Sequence, residues 1–232
     1  MMNELLKIEQ IPAVVYGEQS DKVYLFVHGK GGNKEEAESF ARIACARGYQ
    51  VLSIDLPGYG QRMSELADFV PWKIVPELQR VMKYAKSRWN TVSLHATSIG
   101  AFCSLLAFQE EELEAVLLVS PLLDMTKLIQ NMMQWAGVTE EELQEKQTIP
   151  TDFGETLDWQ YYQYVKGHAI QHWNHPTQIL YAGKDNLTDR GTVDVFVEKY
   201  HCGLTVMEDG EHWFHTPEQL AVLEKWRKEM TI

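Results

Sequence analysis

The 232-residue chain predicts an α/β fold, with a mostly parallel central sheet, helices on both faces and a small helical cap. Three observations carry this. Short apolar β-rich runs without polar alternation, such as V-Y-L-F-V at 23–27, suit strands covered on both faces. These runs alternate with segments of helical periodicity, which is the chain order of a parallel sheet. The alternation breaks once, over 121–176, a stretch too long for a bare connection.

In order along the chain, a short strand is expected around 13–16 and the next at 23–27, ending in the flexible turn H-G-K-G-G-N. Over 34–47, Ala37, Phe40, Ala41, Ala44 and Cys45 recur at helical spacing, and Gly48 can close that helix in the left-handed conformation. Y-Q-V-L-S-I-D at 49–55 reads as a strand, and L-P-G-Y-G after it as a turn-rich loop. Residues 71–88 set Trp72, Val75, Leu78, Val81, Met82 and Ala85 on one helical face, with Pro71 in the first turn. A strand at 91–95, a helix at 98–109 and a strand at 115–120 follow. Beyond the break, 177–181, 190–200, 204–207 and 217–230 read as strand, helix, strand and helix.

The core is therefore assigned to 1–120 and 177–232, and 121–176 to a helical cap or lid inserted after the sixth strand. Helix-like segments at 125–135, 140–145 and 159–168 fall inside it, with Trp135, Phe153, Trp159, Tyr161, Tyr162, Tyr164 and Trp173. These aromatics suit the walls of an apolar pocket; one extended helical layer, or a homodimer interface, would use them equally well.

Composition excludes several functions. Lys plus Arg total 21 against 33 Asp plus Glu, a net charge of −12 with no basic cluster, which argues against a nucleic-acid partner. The apolar runs are far shorter than a membrane span, and M-M-N-E-L-L-K-I-E-Q is too polar for a signal peptide. Cys45, Cys103 and Cys202 lack C-x-x-C spacing and read as reduced thiols of a cytoplasmic protein.

Ligands of open α/β proteins bind beyond the carboxyl ends of the strands. Four polar stretches fall there: 28–32, 95–100, 183–185 and 210–212. In H-A-T-S-I-G-A at 95–101, Ser98 sits at a strand-to-helix junction among small residues, as a serine exposed on a sharp turn requires. The plainer reading is a helix N-cap. A serine nucleophile needs a base and the base an orienting acid. His212, in D-G-E-H-W-F-H, follows a short strand and a glycine, with His215 as its local rival. Asp185, in Y-A-G-K-D-N, follows a strand by a short turn; Asp124 is the alternative acid, and Asp189 is better placed to start a helix. The spacing H-x-x-x-H-x-x-H of His168, His172 and His175 lacks any accompanying cysteine or acid, so no metal is expected, and no motif calls for a cofactor.

With these residues in place, the chain resembles the α/β-hydrolase superfamily over 20–230. A96-T97-S98-I99-G100 is similar to that family's G-x-S-x-G elbow, with Ala96 departing from its first glycine. H28-G29-K30-G31-G32 is similar to its H-G-x-G turn, and D55-L56-P57-G58-Y59-G60 to its D-x-P-G-x-G loop, which carries no chemistry. The resemblance implies Ser98 as nucleophile, Asp185 as acid and His212 as base. It also implies an oxyanion hole formed by the backbone N–H groups of Lys30 and Ile99. The activity expected is hydrolysis of small to medium carboxylic esters. Thioester hydrolysis, carbon–carbon bond hydrolysis, acyl transfer and ligand binding without catalysis are the alternatives on the same scaffold.

Overall fold

The computed structural model describes residues 2–232. Eight strands form one sheet: β1 (Asn3–Ile8), β2 (Ile11–Tyr16), β3 (Lys22–Val27), β4 (Gln50–Ile54), β5 (Thr91–Thr97), β6 (Val116–Val119), β9 (Thr177–Ala182) and β10 (Gly203–Met207). A separate antiparallel pair, β7 (Thr148–Pro150) and β8 (Thr156–Asp158), stands apart from it. The spatial order in the main sheet is β1-β2-β4-β3-β5-β6-β9-β10. From β4 to β10 every pairing is parallel, and only the β1–β2 hairpin and the β2–β4 pairing are antiparallel.

Every residue of β4 and β6 is buried, as is all of β3 after Lys22, which is why these strands read as unbroken apolar runs. β1, in contrast, is an exposed edge strand with only Ile8 buried, and its polar look concealed it in the sequence. Two cores lie on the two faces. On one, Tyr24, Phe26, Leu117 and Leu180 pack with Phe40 and Ala44 of helix α1 (Ala37–Cys45) and with Leu223 and Trp226 of helix α8 (Pro217–Met230).

The larger core takes the buried stripe Ile74, Leu78, Val81, Met82 and Ala85 of helix α2 (Pro71–Arg88), together with Ala101, Phe102 and Leu105 of helix α3 (Ser98–Ala107). Each buried Ile, Leu, Val, Met or Phe among these contributes about 1.5–3 kcal/mol, and the alanines less. That stripe offsets the backbone hydrogen bond that Pro76 removes inside α2. Val193 and Phe196 of helix α7 (Arg190–Tyr200) join the same core.

Between β6 and β9 the chain forms helices α4 (Met125–Ala136), α5 (Glu140–Lys146) and α6 (Trp159–Gly167), with the β7–β8 hairpin between the last two. Side-chain caps start each helix: Asp124 for α4, a Thr139–Glu142 capping box for α5 and Asp158 for α6. Gly137, at φ 66°, ends α4 in the left-handed region. Asp124 is thus committed to capping, accepting from the Lys127 N–H at 2.9 Å. The hairpin and a 3-10 stretch at Gly60–Asp68 add to the elements that the sequence predicts, their residues lacking apolar periodicity. No helix among the described residues is long and apolar enough to cross a membrane.

Register places the site. Val27 pairs with Ala96, Thr97 with Val119, and Val119 with Leu180. The carboxyl ends of β3, β5, β6 and β9 therefore share one edge of the sheet, and the loops that follow them converge there.

Candidate active site

At the β5–α3 junction Ser98 adopts φ 52°, the left-handed region that a non-glycine residue enters at a cost of about 1–3 kcal/mol. The surroundings hold it there. A Cβ at Gly29 would approach the Ser98 Cβ to 3.2 Å, and one at Gly100 would overlap the His28 carbonyl oxygen. The Leu122 N–H donates to the Ser98 carbonyl at 3.3 Å. Small residues flank the serine because two backbones cross at this point. Ala96, where the elbow usually has glycine, is buried on β5 between Val27 and Leu118, and its methyl is accommodated.

The loops after β9 and β10 are tied together. The Gly183 N–H donates to the Met207 carbonyl at 2.8 Å, the Lys184 N–H to that of Gly210 at 2.8 Å, and the Asp185 N–H to that of Ala182 at 3.0 Å. This backbone lacing delivers Asp185 and His212 to each other: the Asp185 Oδ2 lies 2.7 Å from His212 Nδ1. The other carboxylate oxygen accepts from the N–H groups of Leu187 (2.8 Å) and Thr188 (3.1 Å). Asp185's side chain is 0 % exposed and that of His212 15 %. Since Nδ1 donates to a carboxylate, the neutral ring leaves Nε2 as acceptor, and Ser98 Oγ stands 2.8 Å from it.

Fixed residues flank Lys30 and Ile99, whose N–H groups are the expected oxyanion donors. His28 is buried, donates from Nδ1 to the Gly29 carbonyl at 2.7 Å and accepts the Leu56 N–H on Nε2 at 3.0 Å. Burial holds its pKa below the ordinary imidazole value, so the neutral ring pins the loop after β3 to the loop after β4. Ile99 lies in the first turn of α3, where N–H groups have no intrahelical acceptor. Among the described residues, the Lys30 N–H donates to no loop or side-chain acceptor. The Lys30 ammonium turns outward and pairs with Glu155 of the β7–β8 turn.

Two polar clusters also brace this edge. Asp55, in the loop after β4, accepts from the Lys34 N–H (2.8 Å) and Lys34 Nζ (2.9 Å), both away from solvent, and from the Gln61 N–H (3.0 Å). Arg62, nearly buried, forks onto Glu77 at 2.6 and 2.8 Å and reaches Glu65. A buried Lys–Asp pair is invisible to a linear reading because its partners are 21 residues apart.

The remaining candidates lie elsewhere. His215 faces the Trp213 carbonyl and Glu211. Asp189 caps α7, as expected. His168 and His175 bond to the carbonyls of Tyr164 and Phe108. His95 points into the core beside Phe26, away from the serine. Burial raises the Cys103 thiol to about 12, and it stays protonated inside α3.

A family model described as serine aminopeptidase, S33, matches residues 18–166. Protein ABHD8 of Bos taurus is 32% identical over 104 residues, which are 42% of this chain and 23% of that protein, so the chain matches less than a quarter of that relative's length. Among solved structures, a putative hydrolase from Agrobacterium vitis S4 has a TM-score of 0.81 at 17% identity, covering 100% of this chain and 99% of its own. Est1E from Butyrivibrio proteoclasticus has a TM-score of 0.75 at 17% identity, covering 98% and 96%. At such identities the structural likeness speaks for the fold alone. The family match spans more than half of the chain, and the chain belongs to the serine aminopeptidase S33 family of α/β hydrolases.

Proposed function

We propose that the chain is a serine hydrolase that cleaves carboxylic esters of small to medium acyl compounds through an acyl-enzyme. The observation that carries this reading is the unbroken chain from Ser98 Oγ through His212 to the buried Asp185, at 2.8 and 2.7 Å. Ser98 Oγ attacks the carbonyl carbon while His212 Nε2 takes its proton, and Asp185 stabilises the imidazolium that results. The oxyanion gathers between the N–H groups of Lys30 and Ile99, each such donor being worth about 2.7–4 kcal/mol in the transition state. Collapse expels the alkoxide, which His212 protonates. Water, deprotonated by the same ring, then adds to the acyl carbon and releases the acid and Ser98.

In the same reading, residues 121–176 act as a lid over the crevice. Tyr161 and Tyr164 of α6 meet Trp72 at ring-centroid distances of 5.8 and 5.6 Å, and Glu155 reaches Lys30, so the insertion touches both α2 and the loop after β3. Its aromatics give the crevice apolar walls suited to an acyl or alcohol group.

The family description supports a second reading, release of an N-terminal amino acid from a peptide. That activity needs a free carboxylate for the substrate ammonium. Glu155, the acid of the insertion beside the loop after β3, is already engaged by Lys30. Esters are accordingly preferred.

A panel of p-nitrophenyl esters of increasing acyl length, run beside amino-acid p-nitroanilides, tests the proposal. Ester turnover should fall by roughly 10⁴-fold or more in Ser98→Ala with the circular dichroism spectrum unchanged. A fluorophosphonate probe should label Ser98 and no other serine. Retention of most ester activity in Ser98→Ala would overturn the assignment, and faster cleavage of the anilides would move it to peptides.

A further inference from the structure

Arg227 of α8 is 8 % exposed, a guanidinium deep in the fold on the face of the sheet covered by α1 and α8. A buried cation is ordinarily matched by a carboxylate. Here, among the described residues, no carboxylate oxygen comes within the 4.0 Å of an ion pair. Its partners are neutral: Nε donates to His95 Nε2 at 3.0 Å and Nη1 to Ser39 Oγ at 3.1 Å, while Nη2 has none. Glu36 is the acid whose field reaches it, and burial still pulls the guanidinium down to about 10.

The unmatched charge lines a cleft of about 480 Å³ between α1 and α8. Its rim adds Arg42, Arg47 and Lys228, against Glu224 as the one acid among the lining residues. Arg42 is paired with Glu38 and Lys228 with Glu224, whereas Arg47 donates to the Lys228 carbonyl and keeps its charge unpaired. The rest of the wall is apolar, from Ile43, Ala46, Leu220 and Leu223, with Leu220 47 % exposed. In a chain of net charge −12, a cationic pocket with an apolar side is a local reversal.

We infer that this cleft is a binding site for an amphiphilic carboxylate, whose head group meets Arg227 and Arg47 and whose hydrocarbon body lies on Ile43, Leu220 and Leu223. The carboxylate supplies the acceptor that Nη2 lacks and the direct ion pair that Glu36, felt only through its field, does not make with Arg227. The apolar wall distinguishes this ligand from a bare inorganic oxyanion, which would leave Leu220, 47 % exposed above the buried Ile43 and Leu223, facing water. The site stands on the α1–α8 face, not on Ser98 or its partners, and does not depend on the proposed activity.

Isothermal titration with sodium octanoate tests it, with inorganic phosphate and octylammonium as controls. Arg227→Met removes the floor of the site but risks the fold, so the deciding variants are at the rim. Arg42→Glu places a carboxylate at the mouth, and Leu220→Asp places one on the apolar wall. Octanoate should bind the wild-type chain more tightly than either control and about tenfold or more weakly in each rim variant. Ester turnover, if the chain has it, should stay within about twofold in both variants, because neither residue approaches Ser98. The proposal is overturned if octanoate gives no binding heat at millimolar concentration, if both rim variants bind it as the wild type does, or if either control binds equally well.

Discussion

Gly100 lies against His28 so closely that a methyl group at position 100 would overlap the His28 carbonyl oxygen and stand 3.0 Å from Val27 Cγ1. Both obstacles belong to β3 and the loop after it, and a backbone carbonyl cannot rotate aside as a side chain can. Gly100→Ala is expected to destabilise the protein by about 1–3 kcal/mol, each kcal/mol lowering Tm by about 2–4 °C in a chain of this size. Gly31 provides the contrast: nothing lies within 4 Å of a Cβ there, so only its φ of 82° opposes substitution. Gly31→Ala should therefore cost about 1 kcal/mol. Thermal denaturation of the two variants gives the order, and an equal or reversed loss of Tm would contradict the crossing of backbones at the serine turn.

The Asp185 carboxylate is held by two backbone N–H groups and is closed to solvent, so an amide can occupy its place without moving the loop. Asp185→Asn is expected to fold normally and to lose roughly 10⁴-fold in ester turnover, since an amide turned to donate would favour the wrong tautomer of His212. The same variant should react slowly with a fluorophosphonate. Wild-type labelling rates in Asp185→Asn would show that His212 is oriented by something else.

The Lys30 side chain is spent on Glu155, and in the proposed mechanism only its backbone N–H serves the substrate. Both partners are about half exposed, and such a pair is worth about 0–1 kcal/mol. Lys30→Ala should change kcat/KM for a neutral ester by less than about fivefold and leave the ratio of neutral to carboxylate-bearing esters as it is. A loss confined to the carboxylate-bearing esters would place the ammonium on substrate instead of on the insertion.

Asp189 ties two elements at the surface: it caps α7 through the Thr192 N–H at 3.1 Å and accepts from Lys127 of α4 at 2.7 Å. Chiefly through the Lys127 hydrogen bond, its carboxyl is pulled down from 3.8 to about 2. A depressed carboxyl contributes stability above its unfolded pKa and loses that contribution as pH falls through the folded value. Asp189→Asn, which keeps the cap and removes the charge, should be less stable than wild type at pH 6 by under about 1 kcal/mol, given the exposure of the pair. That gap should shrink between pH 4 and pH 2. Urea midpoints measured over this range check the sign, and a gap that widens towards acid would refute it.

Particular residues show how much of this was legible in the linear chain. Strands such as β3 and β6 are readable because burial on both faces demands unbroken apolar side chains, a local property. The serine turn is readable as well, since close backbone approach selects the small residues Ala96 and Gly100 two positions either side of Ser98, and the end of a strand can be located from its neighbours. Helix starts left their own marks at Pro217 and Asp189, and the helices there begin where those residues predict.

Other features depend on partners that sequence spacing does not encode. The Lys34–Asp55 pair, the fork of Arg62 onto Glu77, the bond from Leu56 to His28 and the meeting of Arg227 with His95 join segments brought together only by sheet order. Ser98, Asp185 and His212 were nominated by residue type and chain order, but their spacing is a property of the loops after β5, β9 and β10, laced by backbone hydrogen bonds. Side-chain chemistry and hydrophobic period act between near neighbours and so are written locally. Distances between loops follow from strand register across the whole sheet, and for that reason only the tertiary structure decides them.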